Sequence, residues 1–101
     1  MSYEAHEYQK ITQYQFDNCI KNDARDGGYT IYNGGNSGTL EIRANIFNIY
    51  VATLEYKFNP SNGTLYYELT NKSLLVQENQ IWDGILRTVS SCGGVWSRRL
   101  R

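Results

Sequence analysis

Thr39-Leu40-Glu41-Ile42-Arg43-Ala44-Asn45-Ile46 decides the fold, because apolar and polar residues alternate along it one by one. The pattern recurs twice. Leu54, Tyr56 and Phe58 alternate with Glu55 and Lys57, and Leu65, Tyr67 and Leu69 alternate with Tyr66 and Glu68. Period-two alternation belongs to antiparallel strands with one face on a core and the other in solvent. Residues 39–69 therefore read as three strands of a meander. The alternation slips between Ile46 and Val51, where Phe47, Ile49 and Val51 take the parity that held charges before. A tight turn near Phe47-Asn48 is preferred over one long strand crossing a bulge. Asn59-Pro60-Ser61-Asn62-Gly63 is a turn, since proline suits its second position and Asn-Gly suits left-handed backbone.

Working outward, Tyr29 to Tyr32 is a short strand, and Asn33-Gly34-Gly35-Asn36-Ser37-Gly38 a mobile hairpin loop. Residues 3–22 lack glycine and proline, and Ala5, Tyr8, Ile11 or Thr12, Phe16 and Cys19 recur at helical spacing. That spacing predicts an N-terminal helix with one apolar face. On the other side, Ile81, Trp82, Ile85, Leu86 and Val89 share one face of a second helix, with Asn79 to cap it and Gly93-Gly94 to stop it. The expected fold is α+β: a two-layer sandwich of N-terminal helix, antiparallel meander of about four strands, and C-terminal helix. Leu74 to Gln77 would add a fifth strand if extended. Residues 1–94 form the expected single domain, and 95–101 a cationic tail, either disordered or docking Trp96 on its own sheet or a partner.

Ten basic residues balance ten acidic ones, so no global field draws the chain to nucleic acid or an anionic membrane. The polar N-terminus and the lack of a long apolar run point to a soluble, cytoplasmic protein that spans no membrane. With two helices running oppositely across four strands, Cys19 and Cys92 fall at opposite ends of the helical layer. A disulfide is then out of reach, and two small thiols are expected. A fifth strand would make the helices parallel and let the thiols approach.

No constellation names a reaction. His6 is the only histidine, and Lys10 stands where a zinc helix would place its second one, so an exposed N-terminal histidine is expected and no metal site. No nucleophile has a base near it in sequence, and the glycine-rich loops lack the spacing and lysine of a phosphate loop. Neither catalytic residue nor cofactor is expected, and the chain reads as a non-enzyme.

The anomaly is tyrosine, with nine residues. Tyr56 and Tyr67 fall on the inward parity, while Tyr66, Phe47, Ile49 and Val51 fall outward beside Arg43 and Lys57. Exposed aromatics among arginines suit a protein partner. The leading expectation is a non-enzymatic binding module that occludes or bridges a macromolecule through Phe47, Ile49, Val51, Tyr66, Arg43, Lys57, Asn36 and Trp96. Its partner would be another protein or a second copy. The profile has the type of small inhibitor, immunity or adaptor proteins of bacteria, phages and mobile elements, without a family motif. One alternative is a small-ligand or nucleotide-binding protein with a tyrosine-lined pocket between sheet and helices. Another is a nucleic-acid binder using basic residues, among them Arg98, Arg99 and Arg101.

Overall fold

The computed structural model describes residues 3–22, 28–44, 47 and 49–100. The chain forms an α+β sandwich in which an N-terminal and a C-terminal helix flank an antiparallel sheet. Its strands are β1 (Ala5–Gln9), β2 (Gly28–Gly34), β3 (Ser37–Ala44), β4 (Ile49–Asn59), β5 (Thr64–Lys72) and β6 (Val95–Arg99), in the order β2-β3-β4-β5-β1-β6. The meander β2 to β5 follows the alternation of its sequence. Leu40, Leu54, Tyr56, Phe58, Leu65, Tyr67 and Leu69 are all buried on one face. Gly63 closes the β4–β5 turn with left-handed backbone (φ 71°), as the Asn-Gly pair implies.

The first helix is shorter than its spacing suggested. Residues 5–9 are strand β1, paired antiparallel with β5. Only Gln13–Gln15 is α-helical, continuing as a π-helical turn over Phe16–Ile20; together these form α1. Lys10, at φ 65°, turns the chain between strand and helix. Ala5 and Tyr8 lie three apart and both are buried, a helix-like spacing that the strand shows because its register against β6 shifts between Glu7 and Tyr8. Pairing with the open edge of β5 satisfies every second backbone group of the segment and decides the outcome. Thr12 opens α1 with a capping box to Gln15.

The second helix, α2 (Glu78–Ser91), is where its period placed it, but Gln77, not Asn79, caps it, in a box with Gln80. Ile81, Trp82, Ile85 and Val89 are buried; Leu86 is at the margin. The segment before α2 is a turn and adds no strand. Val95–Arg99 is no free tail: it pairs with β1 as the edge strand β6. Its cationic side chains find carboxylates, Arg98 on Glu7 (3.2 Å) and Arg99 on Glu4 (3.5 Å).

Cys19 and Cys92 form a disulfide. The expectation of separated thiols assumed a helix spanning the layer. The helix formed is too short to have a remote end, and both its ends stay near the close of α2. A Cβ at Gly94 would lie 2.6 Å from Val89 and 2.9 Å from Ile11, which shows how tightly the start of α1 approaches that corner.

Candidate functional site

The sheet's buried face carries a cleft of about 290 Å3 between α2 and strands β2 to β4. Leu40, Ile42, Val51, Ile81, Ile85 and Val89 give it aliphatic walls, and Tyr32 and Tyr67 contribute aromatic ones. The Tyr32 and Tyr67 hydroxyls lie 2.6 Å apart, a short hydrogen bond between two neutral phenols. Burial pushes the Tyr67 phenol well above its ordinary pKa, and the neighbouring phenols push the same way, so it stays protonated. Behind the pair, Phe16 stacks on Phe58 (4.7 Å) and meets Tyr32 edge-on (6.0 Å).

Gly84 sits in mid-helix on the cleft wall, and a Cβ built there would meet nothing within 4 Å. Glycine inside a helix costs about 1 kcal/mol relative to alanine. Here it buys open volume rather than close packing. A glycine in the middle of α2 is a signal that the helical period passes over.

On the opposite flank of α2 is a second, smaller cavity of about 240 Å3, bounded by His6, Tyr8, Trp82, Asp83, Leu86 and Trp96. His6 is not an exposed terminal histidine. Its side chain is 13% exposed and stacks flat on Trp82, ring centroids 3.8 Å apart. Its Nε2 contacts Glu4 Oε1 at 2.8 Å, and its Nδ1 accepts from the Trp96 indole N–H at 3.4 Å. Those contacts suit the neutral Nε2–H tautomer. No group of three or more metal-ligating side chains occurs among the described residues.

The residues expected to form one outer patch are dispersed. Phe47 (89% exposed) and Ile49 lie where β3 turns into β4. Tyr66 pairs across strands with Lys57, eight positions along β4 from Ile49, or about 26 Å at strand rise. Val51 is not outward: the β3–β4 register shifts beside it, and it packs against the core and lines the cleft. Turn and bulge thus both occur, although Asn48 lies outside the described residues. Arg43 is bound to Glu41 and lies over the Tyr50 ring. Tyr66 donates to Glu68 (2.8 Å).

Asn36 is tied to α1 and its loop is fastened. The Asn36 amide exchanges hydrogen bonds with Gln13, and the Gly35 carbonyl accepts from Tyr56 (2.8 Å) and Lys21 (3.0 Å). Trp96 faces the histidine cavity, half exposed. Arg101 lies outside the described residues.

The sequence pattern gave no hint of Leu74 and Leu75, 96% and 90% exposed in the turn before α2. That turn is firmly built. The Lys72 ammonium donates to the Ser73 and Val76 carbonyls (3.3 and 2.6 Å), and the Leu75 N–H to Ser73 Oγ (3.1 Å). The Ser73 N–H donates to the Val51 carbonyl (2.9 Å), which sets the turn beside Ile49 at the same end of the sheet.

No family model, curated protein or solved structure matches the chain. No helix among the described residues is long and apolar enough to cross a membrane.

Proposed function

We propose that the chain is a small-ligand-binding protein whose site is the cleft between α2 and strands β2 to β4. One observation carries this reading: an aliphatic cavity of about 290 Å3 with a hydrogen-bonded tyrosine pair on its wall. Its size is at the lower end of the range for ligand pockets, and apolar walls with few convergent polar groups are their usual make-up. The mid-helix Gly84 adds support, because a side chain there would be tolerated sterically and would fill the space. The test is Gly84→Leu. Apolar small molecules should raise the melting temperature of the wild type and leave the variant unmoved, while the variant alone melts no lower. Equal shifts in both proteins would place binding elsewhere.

A second reading keeps the protein-binding module of inhibitor or adaptor type, but moves its surface. Phe47, Ile49, Leu74 and Leu75 gather exposed apolar area at one end of the sheet, whereas the other end carries the polar turns at Asn36 and Asn59 to Gly63. Apolar patches of that kind mark contacts with other macromolecules. Nucleic-acid binding is least favoured, since Arg98 and Arg99 already face carboxylates. The Cys19–Cys92 bond supports an oxidising compartment rather than the cytoplasm read from the sequence.

A further inference from the structure

We infer that the smaller cavity, between α2 and strands β1 and β6, is a second binding site, and that its ligand carries a quaternary ammonium group held against aromatic rings beside Asp83. The site is separate from the cleft and does not depend on it. Both tryptophans of the chain, Trp82 and Trp96, line this one space of about 240 Å3, together with His6 and Tyr8. That volume is below the usual range for a whole drug-sized ligand and suits a compact head group. Trp96 is half exposed and meets His6 through its indole N–H, the two rings 71° apart. The contact uses the edge of the indole and leaves its faces uncovered. An aromatic face is the negative side of the ring quadrupole and attracts a cation within about 6 Å, tryptophan most strongly.

The charges around the cavity select the same ligand. Among the described residues, Asp83 is the one carboxylate on its walls, and no lysine or arginine lines it. The Asp83 side chain is exposed and has no ion-pair partner among the described residues. The neighbouring cations are engaged elsewhere. Arg98 faces Glu7 and Arg99 faces Glu4, while Arg87, one turn along α2 from Asp83, lines the larger cleft on the other flank. His6 accepts the Trp96 N–H at Nδ1, as a neutral ring does, and burial keeps the Tyr8 phenol uncharged. Rings with one unpaired carboxylate favour a cation over an anion. A primary ammonium needs several acceptors to replace its water, and a metal ion several ligands; this wall has neither. Methyl groups on nitrogen need no acceptor and pack on the rings and on Leu86.

The experiment titrates the full chain with choline and with neohexyl alcohol, its uncharged carbon analogue, while tryptophan fluorescence is recorded. Because both tryptophans line the cavity, their emission reports this site. Choline should change the emission saturably and bind about tenfold tighter than the alcohol, the ratio expected of a cation held over an indole. Asp83→Asn should weaken choline about threefold, as loss of an exposed ion pair does, and leave the alcohol unmoved. Trp96→Leu should weaken choline about tenfold; if that variant does not fold, the exposed Asp83→Asn decides the matter. The amide of N-acetyl-trimethyllysine presents the same group as a protein side chain would, and its affinity against that of choline tells a modified protein from a free small molecule. Equal affinity for choline and the alcohol, or choline binding unmoved by both substitutions, overturns the ammonium inference. Unchanged emission with every probe removes the site itself and leaves the cleft to its own test at Gly84.

Discussion

The His6 imidazole lies parallel to the Trp82 indole, the planes 4° apart and the centroids 3.8 Å apart. This contact joins β1 to α2. It is reinforced by Glu78, whose Oε2 accepts from both the Trp82 indole N–H (3.1 Å) and the Glu4 backbone N–H (2.7 Å). The N-terminal strand is thus pinned to the first turn of the helix above it. His6→Ala should cost about 1 kcal/mol, the worth of one stacked pair. Trp82→Ala and Ile85→Ala should cost about 3 to 5 and 2 to 5 kcal/mol, enough to unfold a domain of this size or nearly so. Urea denaturation followed by circular dichroism checks all three. A melt unmoved by Trp82→Ala would mean that α2 does not hold the core together.

Reduction of Cys19–Cys92 should destabilise the protein markedly. The bond spans 73 residues of sequence, for which chain entropy alone gives about 4 kcal/mol. Cys19→Ser/Cys92→Ser, or wild type in dithiothreitol, should therefore melt roughly 15 to 30 °C lower. Identical melts with and without reductant would show that the bond is not formed in solution.

Alkaline pH should unfold the protein through its buried phenols. Burial raises the pKa of Tyr8, Tyr56 and Tyr67 above the ordinary value of 10.0. Above that pH the unfolded chain releases phenolic protons that the folded chain retains, so the folded state binds more protons and stability falls. The stabilisation is complete below pH 10 and is lost as pH rises through the folded values. Each fully buried tyrosine steepens the fall by up to about 1.4 kcal/mol per pH unit. Urea midpoints across that range measure it. In Tyr67→Phe the fall should be shallower, for a loss of about 1 kcal/mol at neutral pH. A midpoint flat to about pH 12 would contradict the burial of these hydroxyls.

Leu74→Ser/Leu75→Ser should leave the melting temperature within a few degrees of wild type, since surface changes usually stay within about 0.5 kcal/mol. If the apolar end is a contact surface, the same variant should abolish self-association or partner capture seen with wild type. A variant that melts far lower would mean that these leucines pack on something in the native protein.

Much of the fold was legible because burial and period agree. Leu54, Tyr56 and Phe58, and likewise Leu65, Tyr67 and Leu69, fall at alternate positions and share one core with Leu40, and α2 shows its four buried residues at helical spacing. The N-terminal segment was not legible for the opposite reason. Ala5, Tyr8, Ile11 and Phe16 look like one face of a helix, yet they belong to a strand, a connection and a short helix that share a core. The Thr12 to Gln15 capping box marked the true start of α1, but the competing pattern ran straight through it. Strand β6 was hidden because five residues with two arginines show no alternation, and its pairing depends on an edge that only β1 creates. The cleft was hidden as well. Tyrosine parity placed Tyr67 inside, but only folding sets Tyr32 against it, and Val51 changed faces at a bulge.

The disulfide also fixes how the molecule bears load. A pull on the two chain ends travels from the N-terminal strand through Cys19, across the sulfur bond to Cys92, and out along β6. Strands β2 to β5 and α2 lie off that path. Stretched in an optical trap, the oxidised chain should lose its β1–β6 pairing first, its hydrogen bonds breaking in succession from the free ends, then peel β1 from β5 and draw out the segment up to Cys19, and there stop lengthening. The cleft and its tyrosine pair would be mechanically shielded for as long as the two sulfurs remain joined.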